Sequence, residues 1–145
     1  MDNLAARGNA LLEAGSAGAL STHSVEKPGY PFASLALYAL DEKGRPLFLL
    51  SRLAVHVRNL AADPRASLMV AEGDSQASAR VTLIGKAEKL SGEQAEAARA
   101  SYLARHSGAT TWASFGDFAL WRLEPEDAYV VGGFGSAGWT GRKAP

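Results

Sequence analysis

The feature that most constrains the fold is a pair of apolar segments, residues 31–40 and 46–51, joined by the turn sequence DEKGRP, whose proline begins the second segment. The first, PFASLALYAL, alternates with a period of two, which is typical of a β-strand with two different faces. The second, PLFLLS, is apolar at nearly every position, which indicates a strand buried on both faces. The pair therefore predicts a β-hairpin within a closed or nearly closed sheet.

Other segments complete a mainly β pattern. Further strands are predicted at ALSTHSV, ASLMVAE, ARVTLIGKAEKL and, as two strands around an acidic turn, DFALWRLEPEDAYVVGGFG. Helices are predicted over residues 2–14, 53–62 and 91–106, followed by an irregular, flexible tail over 136–145. Short connections favour antiparallel pairing. We therefore predict one domain over residues 1–145, a small antiparallel β-barrel with peripheral helices.

Charge and composition limit the possible partners. Lys and Arg together equal Asp and Glu, 15 each, so no overall field attracts nucleic acid or an anionic membrane. The chain has no cysteine, which excludes disulfides and thiolate chemistry. No apolar run approaches the roughly 20 residues that span a bilayer, and the N-terminus is too charged for a secretory signal. A cytoplasmic location is expected.

The most suggestive motif lies where the strand PLFLLS gives way to the helix. Ser51 suits the N-cap of that helix, and the first turn of a helix attracts phosphate. Arg52 adds a planar set of donors that matches phosphate oxygens. His56 and Asn59 follow Arg52 at i+4 and i+7, which places all three on one helical stripe. The spacing indicates an anion site.

A simpler interpretation stays open. Serine is common at N-caps, and Arg, His and Asn often form a solvated helix face. The inward stripe of the same helix is predicted to be Leu53, Val57 and Leu60. The histidines are not accompanied by carboxylates or cysteines at ligand spacing, so no metal site is predicted.

A second candidate is the partly polar face of the strand ARVTLIG. Arg80, Thr82 and Ile84 alternate with Val81 and Leu83, so the two sets point to opposite faces. Buried, Arg80 and Thr82 would need hydrogen-bonding partners, and a phosphate is one such partner. An exposed edge of the barrel explains the pattern equally well.

Together these segments resemble the FMN-binding split-barrel superfamily, the pyridoxamine 5′-phosphate oxidase-like proteins, and most closely its haem-utilisation (HugZ-like) branch. The resemblance is carried by ARGNALLEAGSAGALST, GYPFASLALYALDEKGRPLFLLSRLAVHVRNLAADPRASLMV, ARVTLIGKAE and DFALWRLEPEDAYVVGGFGSAGW. The central SRLAxHxxNLxxDPR run is the most specific part.

The resemblance implies a six-stranded antiparallel split barrel that forms a homodimer, with FMN bound at the subunit interface. Carried over by position, Ser34 would lie near the flavin ring, and Ser51 and Arg52 would hold the phosphate. The other cofactor-binding residues implied in this way are His56, Arg80, Thr82 and, more weakly, Asn59.

The resemblance also defines the functional alternatives. An FMN-dependent oxidoreductase acting on a small-molecule redox substrate is the first, because the flavin performs the chemistry and no catalytic side chain needs to be assigned. A haem-binding or haem-utilisation protein is the second. Many haem-utilisation relatives use a histidine near the C-terminus, whereas no histidine follows His106 here. A flavin-binding module without turnover is the third.

Overall fold

The structure is a computed structural model that describes residues 3–111, 116–133 and 135–141. Over these residues the chain forms, in order, α1 (Asn3–Ala14), β1 (Ala17–His23), β2 (Pro31–Leu37), β3 (Ala39–Leu40), β4 (Pro46–Ser51), α2 (Val55–Ala62), β5 (Arg65–Ala71), β6 (Arg80–Lys89), α3 (Gly92–Arg105), a 3₁₀ turn (Ser107–Thr111), β7 (Phe118–Gly133) and β8 (Ser136–Trp139). None of the described helices is long and apolar enough to cross a membrane.

The strands form one antiparallel sheet in the order β2-β1-β5-β6-β7-β4-β3, with β8 paired to β7. Its two outermost strands, β2 and β3, are separated in the chain by Tyr38 alone. The sheet therefore curls until its ends meet, which produces a split barrel. The predicted mainly β fold with peripheral helices is confirmed.

The barrel interior holds the main core, because alternate residues of each strand point inward. Leu20, Leu68, Leu83 and Val130 are fully buried there. Helix α1 closes one side, and the Tyr38 hydroxyl donates a hydrogen bond of 2.7 Å to the Leu12 carbonyl. The helix is thereby fixed to the place where the sheet ends meet.

Strand β4 is buried on both faces, as its sequence predicts. Phe48 and Leu50 face the main core, while Leu47 and Leu49 face a second cluster beneath α3 that includes Tyr102. The DEKGRP turn connects β3 to β4, and the Arg45 guanidinium bonds the Asp41 carboxylate of the same turn at 2.8 Å and the Glu124 carboxylate of β7 at 3.0 Å. The predicted hairpin is confirmed.

The described residues form eight strands instead of the predicted six, although β7 is one strand where two were predicted. FALWRLEPEDAYVVGG forms one continuous strand of 16 residues instead of two strands around an acidic turn. The acidic segment is absorbed as a bulge, since Ile84 pairs with Asp127 and Gly85 with Pro125, leaving Glu126 as the extra residue. Because Gly85 has no side chain, the two backbones can approach closely there.

The remaining differences are short strands. The segment predicted as one strand over residues 31–40 is divided at Tyr38, because β2 pairs with β1 and β3 pairs with β4. The tail, predicted to be irregular from residue 136, instead begins with β8. The Trp139 ring packs edge-on against the Tyr129 ring at a centroid distance of 5.2 Å, which favours this pairing. Residues 142–145 of that tail lie outside the described part of the chain.

Candidate functional site

The candidate site lies at a gap in the barrel wall, which we call the split. One edge of the split is β2, whose backbone pairs on its other side with β1. The opposite edge is residues 48–51 of β4, which pair with β7 on their far side. Helix α2 lies across the split and packs against β1 and β2. The strand-to-helix motif of the sequence is therefore placed where the barrel is open.

The split contains a hydrogen-bonded pair formed by Ser34 of β2 and His56 of α2. The Ser34 Oγ lies 3.0 Å from Nδ1 of His56, and both side chains are half-buried. Among the described residues, Nε2 of His56 has no hydrogen-bonding partner. Burial holds the pKa of His56 below its ordinary value, so the ring is neutral near pH 7. A neutral imidazole with one free nitrogen can bind a metal or exchange a proton.

Ser51 is not the N-cap of α2, so that prediction is wrong. A turn over residues 51–54 separates β4 from the helix, and the N-cap is Ala54, with no side-chain cap. The Ser51 hydroxyl instead accepts a 3.1 Å hydrogen bond from the Leu53 N–H and donates one of 3.3 Å to the Asp117 carboxylate. The negative charge of Asp117 opposes a phosphate at this hydroxyl.

Arg52 is exposed in the same turn. Its backbone N–H donates a 2.7 Å hydrogen bond to the Asp117 carbonyl, which fixes the turn to the start of β7. Across the part of the chain that the structure describes, the Arg52 guanidinium makes no hydrogen bond or ion pair. Its charge is therefore available to an anionic ligand near the split.

Asn59 is buried, with 1% of its surface exposed, and its amide joins two elements. The Nδ2 donates to Oγ1 of Thr22 at 3.0 Å, and Oδ1 accepts from the Val25 N–H at 3.0 Å. These bonds tie α2 to the end of β1 and to the loop that leads into β2. The amide is thus engaged within the protein, and the predicted stripe of Arg52, His56 and Asn59 does not form.

Two apolar side chains beside His56 are exposed. Leu53 is 69% exposed and Val55 36%. The sequence predicted Leu53 as part of the inward stripe, which is wrong because Leu53 lies in the turn before the helix; Val57 and Leu60 are buried as predicted. The turn before α2 and the first residue of the helix therefore expose apolar surface as well as the Arg52 cation.

Arg80 and Thr82 lie on the other face of the sheet from Ser34. Ser34, Leu20, Leu68 and Leu83 occupy directly paired positions on neighbouring strands, so all four face the interior. Thr82 precedes Leu83 and therefore faces outward, as does Arg80. Within one protomer the structure does not bring these two residues to the split.

Arg80 already has acceptors on the outer face. Its Nη1 donates to the carbonyl oxygens of Gln76 at 2.9 Å and Ser78 at 3.0 Å, in the loop before β6. The guanidinium thus holds the β5–β6 loop. A role in cofactor binding for Arg80 and Thr82 stays a prediction, which requires a second protomer.

The outer face of the sheet carries several exposed apolar side chains. A row of paired positions crosses six strands through Leu35, Ala19, Met69, Thr82, Tyr129 and Trp139. Leu35 is 79% exposed and Trp139 57%. A contiguous exposed apolar surface of this kind is typical of an interaction site.

The sequence analysis missed Asp117, Val55 and the exposure of Leu53. Asp117 is distant in sequence from Ser51, and only the pairing of β4 with β7 brings them together. The exposure of Leu53 follows from where the helix begins. If the sequence analysis had started the helix at Val55 instead of Leu53, it would have placed Leu53 outside the inward stripe and so indicated that Leu53 and Val55 are exposed.

Comparison with known proteins agrees with this architecture. The family described as CREG, beta-barrel matches residues 1–143. The chain is 40% identical over 121 residues to a chloroplastic heme oxygenase, HOZ, from Arabidopsis thaliana. A heme binding protein from Mycobacterium smegmatis has 37% sequence identity and a TM-score of 0.84 over 97% of this chain. HutZ, a heme storage protein from Vibrio cholerae, has a TM-score of 0.67, and at 23% identity shows the fold alone.

The lengths of these proteins differ from that of the chain. The match to the Arabidopsis protein covers 83% of this chain but 37% of that protein. The match to the Mycobacterium smegmatis protein covers 60% of that chain, and the match to HutZ covers 83% of this chain and 89% of that one. The resemblance to the split-barrel superfamily and its haem-utilisation branch is confirmed by these matches.

Proposed function

Because the chain belongs to the CREG β-barrel family, we propose that it is a haem-binding protein whose haem site lies at the split. The observation that carries the proposal is the similarity to the Arabidopsis heme oxygenase and the Mycobacterium smegmatis heme binding protein, at 40% and 37% identity. Both names refer to haem. Both sequence identities are also higher than the low values at which similarity shows the fold alone.

The residues at the split fit the chemistry of haem. Haem is a flat apolar macrocycle with two carboxylates and an iron that takes a nitrogen ligand. His56 offers a free ring nitrogen, Arg52 an unpaired guanidinium for a carboxylate, and Leu53 and Val55 exposed apolar surface. Bound haem would supply iron redox chemistry. The chain would bind the macrocycle, orient it and exclude water from one face.

The direct test is a titration of the purified chain with haemin, followed by absorbance in the Soret region. We expect a saturable shift at one haemin per chain, and adding ascorbate in air would show whether the bound haem is degraded. Absence of a saturable shift would contradict haem binding. A Soret band that persists under reducing conditions would indicate that the chain binds haem without degrading it.

FMN is the second candidate, favoured by the free Arg52 guanidinium at the junction of β4 and α2. A phosphate there could pair with the Arg52 guanidinium, although the Ser51 hydroxyl already donates a hydrogen bond to the Asp117 carboxylate. Fluorescence titrations with FMN and with riboflavin, which lacks the phosphate, would measure this preference. Reduction of bound FMN by NAD(P)H would support an FMN-dependent oxidoreductase with a small redox substrate. Bound FMN that NAD(P)H does not reduce would support a flavin-binding module without turnover.

The predicted homodimer is part of the proposal. Pairing through the outer face would cover the apolar row that includes Leu35, Tyr129 and Trp139. It would also place Arg80 and Thr82 on the side of the sheet that faces the second protomer, where they could contribute to its site. Light scattering is expected to give twice the 15.2 kDa of one chain, and a monomeric mass would contradict the dimer. The cytoplasmic location stays a prediction.

A further inference from the structure

The chain has three histidines, and their surroundings differ in ways that matter for iron binding. The Nε2 of His106 lies 2.7 Å from the Tyr38 carbonyl, to which it donates, and its ring packs against Tyr102 at a centroid distance of 4.8 Å. His106 is thus held between α3 and the closed end of the barrel. His23 is exposed at the end of β1, on the outward face.

His56 has a different arrangement, since it is held through Nδ1 and left free at Nε2. Nδ1 faces Ser34 of β2 at 3.0 Å. Because the two nitrogens lie on different sides of the imidazole ring, Nε2 is directed away from β2. Leu53 and Val55, three positions and one position before it in the chain, have exposed apolar side chains.

We propose that Nε2 of His56 would ligate the iron of bound haem, and that Ser34 would position the ring by accepting a hydrogen bond from Nδ1–H. The inference rests on the proposed haem-binding function. Metal-bound histidines usually donate their second N–H to an acceptor, which fixes both the tautomer and the ring orientation. The Ser34 hydroxyl oxygen lies 3.0 Å from Nδ1 and can accept this hydrogen bond in the tautomer that carries its proton on Nδ1. With the proton on Nδ1, the lone pair is on Nε2.

The nature of the acceptor gives the inference a further consequence. A hydroxyl is a neutral acceptor, whereas a carboxylate would draw the Nδ1 proton more strongly and make the imidazole a stronger donor to iron. Replacing Ser34 with alanine removes the acceptor, so the iron–nitrogen bond should weaken without being lost. Ser34 is therefore a positioning residue, and His56 is the ligand.

Resonance Raman spectra of the reduced, haemin-loaded chain test the assignment, because the iron–histidine stretching band reports the ligand directly. We expect His56→Ala to abolish this band and added imidazole to restore one. The matched controls His23→Ala and His106→Ala should keep it. In Ser34→Ala the band should persist at lower frequency, with haemin affinity reduced by about tenfold.

A band retained in His56→Ala, or lost in His23→Ala or His106→Ala while His56 is intact, overturns the ligand assignment but leaves haem binding in place. A wild-type chain that takes up no haemin overturns the proposed function together with the assignment. If His56→Ala does not fold, the Ser34→Ala spectrum decides, because an unchanged frequency there rejects the Nδ1 contact to the ligand.

Discussion

Replacing Asn59 with alanine separates a structural role from the cofactor-binding role predicted from the sequence. The Asn59 amide donates to Oγ1 of Thr22 and accepts from the Val25 N–H, both at 3.0 Å. Thr22 is 3% exposed, and its hydroxyl would lose the Asn59 amide while it keeps its 3.4 Å donation to the Phe32 carbonyl. Losing one hydrogen bond at a buried group costs about 1 kcal/mol, and up to about 3 kcal/mol where water cannot take its place. Val25 is 51% exposed, and its N–H can be hydrated.

The expected total for Asn59→Ala is a loss of about 2–3 kcal/mol in the free energy of unfolding, since a small cavity adds to the lost hydrogen bond. Urea denaturation monitored by circular dichroism measures it, and the m-value should not change. The matched control is Arg58→Ala, an exposed neighbour on the same helix, which should cost less than about 0.5 kcal/mol.

The second partner provides a double-mutant cycle. Thr22→Val removes the hydroxyl with little change of shape, so the loss on Asn59→Ala should be smaller in that background. Haemin or FMN affinity, measured below the unfolding transition, should change little in Asn59→Ala. A stability loss under about 1 kcal/mol combined with a collapse in cofactor affinity would refute the structural role.

Three further predictions concern charge, pH and backbone approach. Arg52→Gln should weaken haemin binding about 2- to 5-fold, as expected for an exposed ion pair, whereas Arg58→Gln should not; equal effects would contradict the role of Arg52. Burial raises the pKa of Tyr38 to about 12, so the folded chain keeps a proton that the unfolded chain loses above pH 10. Stability should therefore fall by about 1.4 kcal/mol per pH unit between pH 10 and 12, and denaturation of Tyr38→Phe over this range should show a shallower fall. Gly85→Ala should lower the free energy of unfolding by about 3 kcal/mol or more in urea denaturation, because its Cβ would overlap a backbone carbonyl of β7; Gly108→Ala, with open space around it, should change little.

The fold was largely predictable because local patterns carried the necessary information. PLFLLS is apolar on both faces, and the structure buries both faces between the barrel core and α3. The alternation in ARVTLIG correctly separated Arg80 and Thr82 from Val81 and Leu83. It could not show which neighbouring strands lie on either side, because strand order depends on contacts between distant residues.

The position of the strand-to-helix junction was predictable from the sequence, its hydrogen bonds were not, and ligand binding there stays a prediction. The motif from Ser51 to His56 does lie at the split, yet the Ser51 hydroxyl bonds Asp117, whose position depends on the register between β4 and β7. The contact between Ser34 and His56 depends on how α2 crosses the split. The acidic segment of β7 was misjudged because a bulge opposite Gly85 replaces the expected turn.

Tyr38 has a mechanical consequence for ligands. Its N–H donates to the Ser16 carbonyl, its carbonyl accepts from His106 and its hydroxyl donates to the Leu12 carbonyl. Tyr38, the single residue joining the two outermost strands, is thus anchored to α1 and to the C-terminal end of α3. Pro31 of β2 and Ser51 of β4 lie at the strand ends farthest from this anchored residue, and each is paired with a neighbouring strand, so we expect the width of the split there to be set by β1 and β7.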